Sequence, residues 1–212
     1  MGTRHLICIV QDSEFKLANY GQWDGYPSGQ GENILKFLKK EFNIDSFKDK
    51  VKSLKTITPE ELDSVYVECG AKPKSQFISM DVSDKVNKKY PQLTRECGSN
   101  IFSLIQNSPN GLLIRESAID FATDGSCEWA YVVDLDKQKF EVFTWLNNEQ
   151  LKPGDRFFSL KDKQNTAIQL VKAFDLNKLP SKNKFLLDID KIVSPEDYPE
   201  IKEKKANKPK FK

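Results

Sequence analysis

Histidine is almost absent from this chain: His5 is the only one among 212 residues. A zinc site would have to draw its ligands from distant cysteines and carboxylates, and the four cysteines, Cys8, Cys69, Cys97 and Cys127, form no CxxC pair. No metal and no cofactor is expected. His5 lies in an apolar, strand-like run, where it is read as a packed strand residue, and a histidine-based triad has no other base to use. Cys8 is no nucleophile for it, because a residue three positions along a strand points to the opposite face. The cysteines are read as free thiols of a cytoplasmic protein, since a chain of this length does not need cross-links to hold a core.

Long apolar runs are missing too. Nothing approaches the roughly 20 residues of a membrane span. The first ten residues carry a short apolar core with no small-residue cleavage site, so no signal peptide is expected. Charge of one sign is also lacking: 33 basic residues face 31 acidic ones, leaving a formal +2. That balance argues against DNA, RNA or a membrane surface as the main partner. Arginine is scarce, with Arg4, Arg95, Arg115 and Arg156 set against 29 lysines. Each is therefore a candidate for the planar, bidentate role that lysine cannot fill.

What is present suffices for a core, with 38% hydrophobic and 11% aromatic residues. Residues 4–10 and 15–23 read as an N-terminal hairpin around a polar turn. Apolar spacing gives a helix over about 32–42, and a second with Asp45 as its cap and Phe47, Val51 and Leu54 on one face. Thr58-Pro59-Glu60-Glu61 spells a capping box with proline in the first turn, and Gly70 ends that helix. A loop over 71–81, a short helix over 82–89 and a helix from Pro91 to about Gln106 follow. A second hairpin pairs 128–135 with 140–145. One more strand over 166–174 and a helix over 179–192 complete a single domain, 1–201. The lysine-rich stretch 202–212 reads as a solvated, disordered tail. Strands at both ends with helices between them predict an α+β fold, a mainly antiparallel sheet from the two hairpins with the helical middle packed on it.

One stretch is denser than the rest. Tyr20-Gly-Gln-Trp-Asp-Gly-Tyr-Pro-Ser-Gly-Gln-Gly31 holds four of the ten glycines, two of six tyrosines and one of three tryptophans. It leads into a helix N-terminus, where amides and dipole favour an anion. Ser28, Gln30 and the amides of Gly29, Gln30, Gly31 and Glu32 are the candidate anion cradle. Tyr20, Trp23 and Tyr26 offer faces for stacking, and Gln22 and Asp24 offer hydrogen bonds to a ring edge. Arg4 and Arg95 are the candidate clamp, and Trp129 joins if the two hairpins share one sheet. The pattern is neither a P-loop nor a dinucleotide fingerprint.

Met1-Gly-Thr-Arg-His-Leu-Ile7, the 20–31 loop and Cys127-Glu-Trp-Ala-Tyr-Val-Val-Asp-Leu135 resemble a family of uncharacterised proteins from bacteria, their phages and fungi. The resemblance covers about the first 40 residues and 127–145 closely, and the helical middle loosely. It implies that the loop and the Glu128-Trp129 strand are shared features, and it brings no activity with it. A phage setting would suit an anti-defence sponge for a host nucleotide signal.

The favoured expectation is a binding protein for a small anionic, nucleotide-like ligand at the loop, with a homo-oligomer left open. The first alternative is an amide or phosphodiester hydrolase using Asp24 and Glu128 as acid and base. An N-terminal-nucleophile hydrolase is disfavoured, because removal of Met1 exposes glycine. The second alternative is a protein–protein interaction module anchored by Trp23, Tyr26 and Trp129.

Overall fold

Apolar residues fill the first strand on both faces, so it has to lie inside a sheet with cover on each side. In a computed structural model, which describes residues 2–109, 111–146, 151–160, 167–194 and 196, strand β1 (His5–Gln11) is buried along its whole length. Strand β2 (Glu14–Gly21) returns antiparallel to it. The two-residue turn between them, Asp12 and Ser13, takes left-handed φ angles of 55° and 62°, which match the twist of a tight hairpin.

Helix α1 (Glu32–Lys40) follows the glycine-rich loop. Helix α2 (Ile44–Lys52) starts as expected, but its cap is Asn43, whose side chain accepts the Ser46 amide at 3.0 Å, and not Asp45. After the two-residue strand β3 (Lys55–Thr56), helix α3 (Pro59–Glu68) carries the full capping box at Thr58 and Glu61, and Gly70 leaves it at φ +105°. Helix α4 (Met80–Lys89) is capped by Ser79.

The helix expected from Pro91 to Gln106 is broken in two. A single turn at Pro91–Leu93 and helix α5 (Asn100–Asn107) flank a loop. Gly98 in that loop is left-handed, at φ +49°, a conformation that no helix interior can hold. Strand β4 (Leu113–Ile114) pairs in parallel with β3. Strands β5 (Trp129–Asp134) and β6 (Lys139–Thr144) form the second hairpin, β7 (Gln169–Asp175) extends it, and helix α6 (Lys182–Val193) closes the described fold. The lysine-rich tail expected from 202 lies outside the described residues.

The five-stranded sheet has the order β2-β1-β5-β6-β7, and β1 beside β5 is its one parallel pair. The two hairpins thus join into one mostly antiparallel sheet with helices packed on it, the α+β class expected. They are also stapled at their turns: the Asp136 carboxylate accepts the amides of Asp12 at 3.0 Å and Ser13 at 2.8 Å.

Alternation then sorts the core into layers. Ile7, Ile9, Tyr131, Val133 and Phe140 pack under α1, α2, α5 and α6. Leu6, Cys8, Ala130, Val132 and Phe143 pack on the other face, under Leu151, Phe157 and Ile168. A third cluster, with Ile57, Val65, Val82 and Leu93, holds α3 and α4 together. All four cysteines are free and buried. Burial pushes the Cys97 and Cys127 thiols up to about 12 and Cys8 higher still. Only the thiolate attacks a disulfide reagent, so native protein should release less than one equivalent from Ellman's reagent over minutes. Guanidinium-unfolded protein should release four; rapid reaction of the native form would contradict the buried placement.

Candidate functional site

His5 and Gly21 face each other across the β1–β2 pair, and the missing side chain of Gly21 leaves room for the imidazole. A Cβ at Gly21 would fall on Nε2 and Cε1 of that ring. One at Gly25 would lie 2.7 Å from the Thr3 carbonyl oxygen and 2.9 Å from His5 Cβ. Two of the loop's glycines therefore exist to seat the only histidine. The ring is 1% exposed, and neither Nδ1 nor Nε2 has a hydrogen-bond partner. Burial lowers its pKa to about 4, opposed by a contact with the Thr3 backbone that falls outside hydrogen-bond geometry and by the Asp24 charge. The imidazole is neutral near pH 7, with one nitrogen a donor and the other an acceptor.

His5 forms part of the lining of a cleft of about 370 Å³, together with Trp23, Asp24, Gln30, Arg95, Glu96 and Gly98. Trp23 is 48% exposed, and Gly2 packs against its ring so closely that a Cβ there would approach Cζ3 to 2.7 Å. Asp24 holds a left-handed φ of 55°, which aspartate tolerates better than most residues. Its carbonyl accepts the Gln30 amide at 2.9 Å. The Gln30 side chain fastens the opposite wall, donating to the Trp23 carbonyl at 3.3 Å and accepting the Ser99 amide at 2.7 Å. Gly98 makes room for it, since a Cβ there would sit 2.7 Å from Gln30 Nε2. The Arg95 carbonyl accepts the Gln22 amide at 3.3 Å, and its guanidinium lies 3.3 Å from Glu96 in an exposed pair.

Four residues singled out from the sequence, Trp23, Asp24, Gln30 and Arg95, thus share one cleft. The others go elsewhere. The Tyr20 hydroxyl donates to Gln22 Oε1 at 2.5 Å and its ring meets the edge of Phe121, so both side chains have partners outside this cleft. The anion cradle expected over Ser28 to Gly31 loses the amides of Gly29, Gln30 and Gly31 to the loop itself. Pro27–Gly31 forms one wide turn in which the amides of Gly29 and Gly31 donate to the Tyr26 carbonyl and that of Gln30 to Asp24. The turn runs straight into α1 and consumes the amides that an ordinary helix start leaves open. Glu32, just after it, pairs with Lys182 at 2.8 Å.

Tyr26, Ser28 and Trp129 open instead onto a groove of about 620 Å³ against Leu186, Leu187 and Val193 of α6. The loop and the β5 strand do meet, through the Tyr131 hydroxyl on the Gly25 carbonyl at 2.7 Å. Arg4 is not a clamp for the His5 cleft. Its amide donates to Glu128 Oε1 at 3.1 Å, and its charge acts on Asp124 and Cys127. Glu128, held there, does not line the cleft that Asp24 lines, so the two carboxylates of the expected hydrolase do not meet in it.

His5 and Glu96 are the lining residues that sequence reasoning missed, while Gly98 already reads in the sequence as a place of close approach near Arg95. The signal for His5 was present as a single histidine on a strand whose return ends in a glycine. Only the pairing register shows that the two are opposite. Among the described residues, no group of three or more histidine, cysteine or acidic side chains stands ready for a metal ion, and no helix is long and apolar enough to cross a membrane. No family model, no curated protein and no solved structure matches this chain.

Proposed function

We propose that the protein binds a small anionic, nucleotide-like ligand in the cleft over His5. The ligand's ring stacks on the open face of Trp23, its hydrogen-bonding edge meets His5 and Asp24, and Arg95 stands at its charged end. The observation that carries this reading is the His5 ring, buried at the cleft with both nitrogens unpartnered. Leaving a buried polar group unsatisfied costs about 1–3 kcal/mol. A polar ligand group that reaches one of the two nitrogens offsets part of that cost; an apolar ligand does not. The binding of such a ligand without turnover would suit a sponge for a nucleotide signal.

Isothermal titration with a panel of nucleosides and nucleotides tests it. We expect saturable binding by at least one member, weakened tenfold or more in Trp23→Ala and in His5→Phe, with no product formed. Absence of saturable heat across the panel would sink the proposal, and turnover would move it to the hydrolase class. A second reading rests on the groove at α6, where Tyr26 is 51% and Leu187 43% exposed. If that groove is an interface, Leu187→Asp should dissolve an oligomer seen by sedimentation.

A further inference from the structure

A second cleft of about 340 Å³ lies beyond the outer edge of β2 and meets the first at Arg95 and Glu96, which line both. Along β2 the helix-facing positions run Leu17, Asn19, Gly21, so an amide stands where the alternation calls for an apolar side chain. Asn19 is 6% exposed, it lines this cleft, and its Nδ2 has no hydrogen-bond partner. Asn87 from α4 lines the same cleft with Oδ1 buried and unpartnered. Two of the chain's four arginines, Arg95 and Arg115, line it as well, with Ser83, Thr94 and the exposed Glu96 and Glu116 beside them. The sequence pointed to Arg4 with Arg95 beside the 26–31 loop; the two arginines that line one cleft are instead Arg95 and Arg115, away from that loop.

The two asparagines and two arginines sort by hydrogen-bond direction. Asn19 Nδ2 and both guanidiniums only donate, and a buried donor without a partner calls for an acceptor. The guanidinium fork matches the oxygens of a phosphate or carboxylate in a way that an ammonium does not. Glu96 already engages Arg95, but the pair is exposed at 63% and 37%, and exposed pairs contribute little and give way readily. Two arginines and Asn19 donate to the three acceptor oxygens of a phosphate group, and Asn87 Oδ1 accepts from a hydroxyl, which inorganic hydrogen phosphate carries itself and a nucleoside monophosphate supplies from its ribose. The summed charge of the four charged side chains is zero, so selection comes from geometry and not from field.

We propose that this cleft is a phosphate subsite of the His5 cleft, and that the ligand is therefore a nucleoside phosphate. The nucleoside half of that identity rests on the reading above; the phosphate half rests on Asn19, Asn87, Arg95 and Arg115 alone.

Two titrations of the full chain separate the halves. The first uses inorganic phosphate, followed by proton–nitrogen correlation spectra at constant ionic strength. Saturable shifts of the Asn19 side-chain amide are expected, with affinity about tenfold or more weaker in Arg115→Met and partly restored in Arg115→Lys. Shifts that chloride reproduces, or that Arg115→Met leaves unchanged, overturn the subsite. The second compares nucleosides with their 5′-monophosphates. The monophosphates should bind at least tenfold more tightly, and Arg115→Met should erase that advantage while sparing the nucleosides. If phosphate binds and nucleosides do not, the subsite stands and the His5 reading fails. If nucleosides bind and phosphate adds nothing, the subsite fails and the His5 reading stands.

Discussion

Replacing Arg156 with methionine should lower the stability of the fold by about 3–5 kcal/mol, the range for stranding a buried charge without its partner. Arg156 reaches in from the 151–160 segment to the second face of the sheet. Its Nη2 lies 2.5 Å from Asp134 Oδ2 and 2.8 Å from Glu141 Oε1, and its Nε donates to Glu141 Oε2. The three side chains are only 12%, 2% and 10% exposed. Burial alone would pull the guanidinium pKa down, but the hydrogen bonds and charges of Glu141 and Asp134 outweigh it and hold it above its usual value. Asp134 is tied down a second time, since its Oδ1 accepts the amides of Asp136 and Lys137 and forms the β5–β6 turn. With Arg156 gone, two largely buried carboxylates remain side by side without their cation. Urea unfolding at pH 7 measures the loss. Adding Glu141→Leu and Asp134→Asn to Arg156→Met removes the stranded charges while keeping the turn acceptor, and should recover much of the stability. A loss below about 1 kcal/mol in the single variant would mean that the triad is effectively solvated.

Acidification should destabilise the protein through His5 before the carboxylates titrate. The folded-state pKa is about 4 and the unfolded value about 6.5. Between these two values the unfolded chain holds the proton and the folded chain does not. Stability therefore rises with pH across the window and falls as pH drops from about 6.5 to about 4. A difference of this size corresponds to about 3 kcal/mol. Carboxylates held low by hydrogen bonds, such as Asp136 under the Asp12 and Ser13 amides, lose their contribution at lower pH, so the two limbs separate. In His5→Phe, which keeps a ring of similar size against Gly21, the slope between pH 6.5 and 4.5 should nearly vanish. A wild-type curve already flat in that range would show that His5 takes up its proton in the folded chain as readily as in the unfolded one, and would contradict the burial of its ring.

The frame of the fold could be read from local patterns because local physics made it. The capping box at Thr58, the alternation of the 140–145 strand and the apolar spacing of 32–42 each act within a few residues. The two hairpins joined through β1 and β5, as strands at both ends of the chain implied. The failures were of longer range. Pro91 through Gln106 has helical spacing, yet Gln30, some seventy residues earlier in the chain, packs against Gly98 and fits the left-handed break there. The site divided along the same line. Trp23, Asp24, Gln30 and Arg95 were found by residue type, and they meet. Ser28 to Gly31 failed because a wide turn, which the glycine spacing does not distinguish from a free helix start, uses up its amides. His5 was read as packed, which it is, but the empty hydrogen-bonding capacity of its ring depends on Gly21 and Gly25 approaching from another strand and loop. Arg115 and Asn19 join across nearly a hundred residues, a meeting visible only after folding.

Because the chain has one histidine, its imidazole nitrogens give a single, unambiguous set of signals in long-range proton–nitrogen spectra. Recording them at pH 7 while adding a nucleoside monophosphate tests the His5 cleft directly. A neutral ring in the free protein, with both nitrogen shifts moving saturably as the ligand binds and a midpoint that matches calorimetry, is the predicted result. Ring signals that stay in place while the ligand binds would locate it elsewhere and contradict the assignment of this cleft.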